Sequence, residues 1–277
     1  MSDYAGKPIV LRPSRGWIPI NWKDLYEYRE LLYFLTWRDL KIKYKQTLLG
    51  ASWAVLQPLF MMFMFTIFFG RMAKVPSDGV PYPIFSYSGL ILWTYFAGAL
   101  SLSSNSLVGG SHLISKIYFP RILMPTASTL AGLVDYLISL GVMIILMIWY
   151  HFTPGPGLLL LPLVVFGGFL AATGVGLWLS AMNVKYRDIR FVIPFLIQLW
   201  LFATPVIYPV TMLPEKYRWL LALNPMSGLV EAHRACILGH RPIDWVSLEI
   251  SGAIILLIFI TGLYYFKRME RTFADVI

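Results

Sequence analysis

The chain has 277 residues, 58% of them hydrophobic and 13% charged, with a mean hydropathy of +0.67. Soluble domains carry about 25% charged residues, so the composition excludes a water-soluble globular protein and indicates an integral membrane protein. The lone Cys236 excludes a disulfide framework within one chain and a cysteine-rich metal site. The formal charge of +9 collects at the borders of apolar stretches, which speaks for a membrane and against nucleic acid as partner.

Residues 1–21 are polar, with Pro8, Pro13 and Pro19, and read as a loosely ordered tail without the apolar run of a cleavable signal peptide. Residues 22–46, WKDLYEYRELLYFLTWRDLKIKYKQ, place Leu25, Tyr28, Leu32 and Leu35 at helical spacing with charges between them. This is the composition of an amphipathic helix lying in the membrane surface, apolar side down and Lys/Arg side toward water and anionic lipid. A soluble helix packed on another domain has the same pattern; the span that follows at once favours the interfacial reading.

Residues 47–277 make up the membrane domain, with six expected spans. The first, 46–70, has no charge and carries Gln57-Pro58 ahead of a Phe/Met-rich body. A loop of turn formers, 71–83, leads to the second span, 84–108. Its first half is aromatic (Phe85, Tyr87, Trp93, Tyr95, Phe96) and its second half small and polar (Ser101, Ser103, Ser104, Asn105, Ser106). The connector 109–125, GGSHLISKIYFPRILMP, precedes the third span, 126–150, which contains Asp135. The fourth, 158–182, carries Gly167, Gly168, Gly174 and Gly176, suited to close helix packing.

The stretch from Asn183 to Gly239 organises the rest. It opens on Lys185, Arg187, Asp188 and Arg190, then runs from Phe191 to Pro214 without a formal charge. That is long enough to cross a membrane, which takes about 20 apolar helical residues. The fifth span is expected at 191–209. Its Pro194, Pro205 and Pro209 are tolerated only where neighbours or water satisfy the freed backbone groups, so it should line a protein interior. Two short amphipathic segments, 213–223 and 225–238, come before the sixth span at 246–266.

With six spans, both termini share one side. That side collects seventeen of the 23 Lys and Arg against six on the other, and none lies inside a span. The positive-inside rule then puts both termini in the cytoplasm and residues 210–245 outside.

Chemistry is scarce. There is no GxxxxGK[ST], HExxH or GxSxG; Gly6-Lys7 lacks both the upstream glycine and a following Ser or Thr. His112, His151, His233 and His240 have no metal-ligand spacing, so no catalytic residue, metal or cofactor is expected in this chain. Asp135, the one acid within a span, is open to two readings: a proton carrier, or a carboxylate hydrogen-bonded by a Tyr, Ser or Thr of another helix. With no partner acid or base in view, the second is favoured. The connector is either a plain turn or a docking knob, since Ile117, Tyr118 and Phe119 are too apolar for water while Lys116 and Arg121 suit an acidic groove. Trp53, Phe60, Phe63, Trp93, Tyr95, Trp200 and Phe202 lie away from the interfacial belts. They suit a lumen in which aromatic faces stack on sugars, or equally lipid contact and helix packing.

The stretches TWRDLKIKYKQTLLGASWAVLQP (36–58), KIYFPRILMP (116–125), NVKYRDIRFVIPFLIQLWLFATPVIYP (183–209) and LPEKYRWLLALNPMSGLVEAHRACILG (213–239) carry a resemblance. The chain, over about 22–270, resembles the membrane subunit of type-2 ABC exporters for bacterial cell-surface polysaccharides, which export O antigen, capsule and teichoic acid. The resemblance implies an all-α integral membrane protein in a homodimer of six-span subunits, bound to two copies of a separate ABC ATPase subunit that holds ATP and Mg. It makes 22–46 an interface helix at the cytoplasmic gate, where Arg38, Lys41, Lys43 and Lys45 attract the pyrophosphate of a lipid-linked glycan. The connector becomes a cytoplasmic coupling helix around Lys116, Ile117, Tyr118, Phe119 and Arg121. The segments within 213–239 become two short extracytoplasmic gate helices bearing Glu215, Tyr217, Asn224, Glu231 and Arg234. The conduit would lie between subunits, along the first, second and fifth spans, with Trp53, Phe60, Phe63, Trp93, Tyr95, Gln198, Trp200 and Phe202 as its lining. The implied location is the bacterial cytoplasmic (inner) membrane.

Rival readings are a type-2 ABC exporter of a drug or lipid, an intramembrane enzyme on lipid-linked sugars, and a proton-coupled secondary transporter. The enzyme would need acids or histidines converging at a membrane face, and the secondary transporter internal repeats with paired intramembrane charges. Neither pattern is visible.

Overall fold

The computed structural model describes residues 26–45, 52–186 and 188–273, the side chain of Ser115 excepted. The expected polar tail (1–21), the first residues of the interface helix (22–25), the start of the first span (46–51) and Arg187 lie outside the described residues. The order is α1 (Arg29–Lys45), α2 (Ser52–Phe65, continued by a π-helical turn, Thr66–Met72), α3 (Tyr82–Gly109), α4 (Ser111–Lys116), α5 (Leu123–Trp149), a 3-10 turn (Pro156–Leu160), α6 (Leu161–Lys185), α7 (Ile189–Ala203), α8 (Glu215–Ala222), α9 (Pro225–Leu238) and α10 (Trp245–Glu270). The described residues contain no strand.

Among the described residues, five segments are long and apolar enough to cross a membrane: Ser52–Met72, Tyr82–Gly109, Leu123–Trp149, Pro156–Lys185 and Trp245–Glu270. The expected fifth span is shorter. Helix α7 has 15 residues, about 22 Å at 1.5 Å per residue, against a hydrocarbon layer of about 30 Å. Pro205 sets the limit, because its ring disfavours helical geometry at the residue before it. Thr204 is accordingly extended, at φ −102° and ψ 139°.

Helix α3 is the centre of the bundle. In its apolar stretch 78% of residues are buried, against 6% in α2, so α3 is the core and α2 lies on the outside. Helices α5 and α6 flank α3, and α10 packs on the far side of α6. Small residues permit this spacing. A Cβ at Gly174 on α6 would come 2.9 Å from the Phe259 Cα of α10, and one at Gly262 would come 2.5 Å from the Gly174 carbonyl oxygen. A second apolar cluster, including Leu35, Phe119, Leu123, Leu177 and Phe273, closes the α4 end of the bundle.

Three expectations need correction. The stripe of α1 read as facing lipid faces protein: Tyr28, Leu31, Leu32 and Leu35 join the second cluster, while Tyr33, Phe34 and Trp37 are exposed. The helix before the third span ends at Lys116, so Ile117 to Arg121 are not helical; Ile117 is extended, at φ −131° and ψ 135°, and Pro120 disfavours helix at Phe119. Finally, α9, expected to be amphipathic, is buried on nearly every side. All of its residues except Glu231 are buried, because Gly228, Ala232 and Ala235 let it sink among α3, α6 and α10. It ends on Gly239, which adopts the left-handed φ of +62° and donates its N–H to the Ala235 carbonyl.

The α6–α10 contact yields a test. Gly174→Ala and Gly262→Ala should each destabilise the protein by about 1–3 kcal/mol through overpacking. Alanine at Gly141 or Gly252, where an added Cβ meets nothing within 4 Å, should be neutral or stabilising by up to about 1 kcal/mol. Thermal unfolding in detergent reads the difference.

Candidate functional site

The break after α7 exposes a run of backbone carbonyls inside the bundle, and side chains from three regions take them up. Tyr208 Oη donates to the Phe202 carbonyl at 3.1 Å, and Asn224 Nδ2 to the Ala203 carbonyl at 3.1 Å. Arg234 Nη2 donates to the carbonyls of Pro205 (3.0 Å) and Val206 (3.1 Å), and Tyr82 Oη to that of Ile207 (2.7 Å). Asn224 is also the N-cap of α9, accepting from Met226 N, and its Oδ1 accepts from Trp200 Nε1 at 2.8 Å. Arg234 is 2% exposed. It pairs with Glu231 one turn earlier and lies 3.9 Å from the centre of the Phe85 ring.

Beside α7 opens a groove of about 760 Å³. Helix α3 forms its floor, α2 and α7 its walls, and α5 and the end of α1 its remaining side. On α2, Ala54, Gln57, Pro58 and Met61 line it; their i, i+3, i+4, i+7 spacing is one helical face. Of the expected conduit residues, Trp53, Trp93, Tyr95 and Gln198 reach the groove. Trp93 and Tyr95 show only edges, at 2% and 3% exposure, whereas Trp53 is 56% exposed. Phe60 and Phe63 fall off the lining face of α2 and are exposed, as is Phe202. Trp200 packs edge-on against Phe96, with centroids 5.1 Å apart, and is committed to Asn224.

Asp135, also in the lining, has acquired partners that no local pattern showed. Twelve residues into α5, it lies about 18 Å from the helix start, and both Lys43 Nζ and Tyr44 Oη of α1 donate to its carboxylate. Burial first, and the Asp135 carboxylate second, push the Tyr44 phenol well above its ordinary pKa, so it remains a donor. One turn earlier on α1, Asp39 accepts from Ser128 of α5 at 2.8 Å. Helix α1 therefore climbs along α5 instead of lying across the bundle. Of the four basic residues assigned to the gate, Lys43 is held by Asp135, Arg38 pairs with Asp39 at 2.8 Å, and Lys41 lies over the Trp37 ring. Lys45, at the end of α1, is exposed.

The connector residues separate into two groups. Lys116, Ile117 and Tyr118 are exposed. Phe119 is buried in the second apolar cluster. Arg121 turns back onto its own chain: its backbone N–H donates to Glu270 Oε1 (3.1 Å) and its guanidinium to the Glu270 carbonyl (2.9 Å). At the opposite end of the bundle, Glu215 and Tyr217 of α8 are exposed, Glu215 within 3.6 Å of Arg218. His233, which the sequence marked only as lacking metal-ligand spacing, has both ring nitrogens hydrogen-bonded. Nδ1 donates to the Ser88 carbonyl at 2.8 Å, and Nε2 accepts from Tyr136 at 2.9 Å.

Removing Arg234 should be severe. Arg234→Met leaves the partly buried Glu231 and two carbonyls without their donor, a loss on the order of 3–5 kcal/mol. Arg218→Met, which breaks the open pair with Glu215, should cost about 1 kcal/mol or less. Recovery of monodisperse protein and its melting temperature in detergent measure both.

Residues 30–238 match the family described as ABC-2 type transporter. The chain is 31% identical over 258 residues to the O-antigen export system permease protein RfbA of Myxococcus xanthus, an alignment covering 92% of this chain and 98% of that one. It is 27% identical over 250 residues to a protein of the same name from Klebsiella pneumoniae, covering 90% and 95%. With the polysialic acid transport protein KpsM of Escherichia coli it shares 24% identity over 239 residues, covering 84% and 91%. A helical membrane bundle with this extent of similarity belongs to the ABC-2 type transporter family.

Proposed function

We propose that this chain is the membrane subunit of an ATP-driven exporter that moves a lipid-linked bacterial cell-surface polysaccharide across the inner membrane. The observation that carries the reading is the groove. It is large, it runs beside a broken helix, it has α3 as floor and α2 and α7 as walls, and among the described residues its lining is charged only where α1 meets α5. The names of the relatives support the substrate class: O-antigen export for two, polysialic acid transport for the third. Helix α2, apolar yet hardly covered by its own chain, supports a second copy as partner, with the two grooves facing to form the conduit. Both termini are then cytoplasmic, and α8 and α9 stand at the exit.

Energy comes from a separate ABC ATPase subunit, two copies per dimer, which binds ATP and Mg. The face offered to it is exposed at the α4 end: the basic Lys116 beside the apolar Ile117 and Tyr118. Phe119 and Arg121, turned into their own chain, hold that face in place. Replacing Ile117 and Tyr118 together with Asp should therefore abolish co-purification with the ATPase while the subunit still inserts and melts normally. Phe119→Ala should instead lower the melting temperature of the subunit itself, as loss of a buried Phe costs about 3–5 kcal/mol. Retention of the complex by the double Asp variant would make the connector a mere turn.

The export reading is tested in cells lacking the gene, complemented with variants and scored for surface polysaccharide at matched protein level. Trp53 presents the open aromatic face in the groove; stacking on such a face contributes on the order of 1 kcal/mol. Trp53→Leu should reduce export several-fold, whereas Trp149→Leu, at an exposed helix end, should not. Unaltered surface polysaccharide in the cells that lack the gene would leave a drug or lipid exporter as the function.

A further inference from the structure

The groove holds two formally charged residues among its described lining, Lys43 and Asp135, and they are bonded to each other. The pair is not sealed: the side chains are 42% and 21% exposed. An open ion pair contributes about 0–1 kcal/mol, so as a staple for α1 it is weak. Helix α1 has stronger holds, in the burial of Leu35 and in the Asp39–Ser128 hydrogen bond. A carboxylate placed inside a span is nevertheless costly to keep. What the carboxylate does accomplish is geometric. It draws an ammonium and a phenol hydroxyl from successive residues of α1 onto its two oxygens, Lys43 to Oδ2 and Tyr44 to Oδ1, in the lining of the groove.

Two such donors converging on an oxyanion are equally a site for a phosphate oxygen, which accepts the same charge-assisted hydrogen bonds. We propose that Asp135 is a placeholder: its carboxylate occupies an anion site formed by Lys43 and Tyr44, and the phosphate group of the substrate's lipid carrier takes its place. This rests on the lipid-linked reading above. The exchange also limits how tightly the anion is held. Once phosphate occupies Lys43 and Tyr44, Asp135 is left unpaired beside it and repels it, so the head group is passed on rather than trapped.

The test uses the full complex of this chain with its ATPase subunit in phosphatidylcholine nanodiscs. ATP hydrolysis is followed against added undecaprenyl diphosphate, with phosphatidylglycerol as a separate arm. Removing the competing charge with Asp135→Asn should lower the half-stimulating concentration by about tenfold, and Lys43→Gln should raise it by about tenfold, the order of one contact charge pair in a partly screened site. Asp135→Glu, which keeps the charge, should stay near wild type. Opposite shifts are the signature, since a helix staple would move both variants the same way; shifts of one sign, or an unchanged Asp135→Asn, overturn the proposal. Should Asp135→Asn fail to assemble, Lys43→Gln and Tyr44→Phe must still raise the half-stimulating concentration, and their failure to do so overturns it. Equal stimulation by phosphatidylglycerol overturns the assignment to a substrate head group. A wild-type complex indifferent to the diphosphate overturns the lipid-linked reading as well, which separates that failure from the failure of the exchange alone.

Discussion

A helix that stops inside a membrane bundle must find a donor for each carbonyl it frees, because hydrocarbon offers none. Around Pro205 the carbonyls of residues 202, 203, 205, 206 and 207 are taken by Tyr208, Asn224, Arg234 and Tyr82. That requirement shapes half of the molecule. It explains why an arginine is buried in α9, why α9 sinks into the core, and why Asn224 both caps α9 and grips the end of α7. Helix α7, helix α9 and the start of α3 are thereby tied through backbone groups. Phe85 beneath the guanidinium and Glu231 beside it compensate the charge where water is scarce.

The bundle's other polar commitment lies on the α1 side, and its physics differs. Arg234 is enclosed and its loss is a stability event. Lys43 and Asp135 are open to a groove, where an ion pair contributes little to stability but sets the charge that an entering group meets. One fold thus holds charge in two ways: sealed, to close a broken backbone, and open, beside the groove. The aromatic residues divide similarly. Trp93, Tyr95 and Trp200 are largely spent on packing and hydrogen bonds, and Trp53 keeps its ring available.

Much of the architecture was legible because spans are long apolar runs bounded by charge. The five long helices fall within a few residues of the expected spans. The prolines and Gln198 marked the fifth as unusual, and Pro205 indeed ends it. The small residues of the fourth span announced close packing, which Gly174 and Gly262 realise. Face assignments fared worse. A periodic apolar stripe shows that a helix has a buried side, but protein and lipid are equally apolar neighbours. Hence α1 was turned the wrong way round, and the two aromatic edges in the groove floor could not be told from open rings. In the connector the same limit holds residue by residue: Phe119 and Tyr118 are adjacent and alike in composition, yet one is buried and the other 76% exposed.

By itself the sequence determined the class, the number and order of apolar segments, the placement of charge at their borders, and the prolines that make the fifth segment unusual; which of them ends the helix it did not. Each of these is a local property, set by transfer free energy or by the geometry of one residue and its neighbour. Pairing was decided only by the tertiary structure. Asp135 meets Lys43 and Tyr44 across about ninety residues, Arg234 meets Pro205 and Val206 across nearly thirty, and His233 meets Ser88 across 145. Such contacts follow from how helices rotate about their axes when packed. That rotation is fixed by the sum of many weak side-chain contacts, no one of which is written in a single segment.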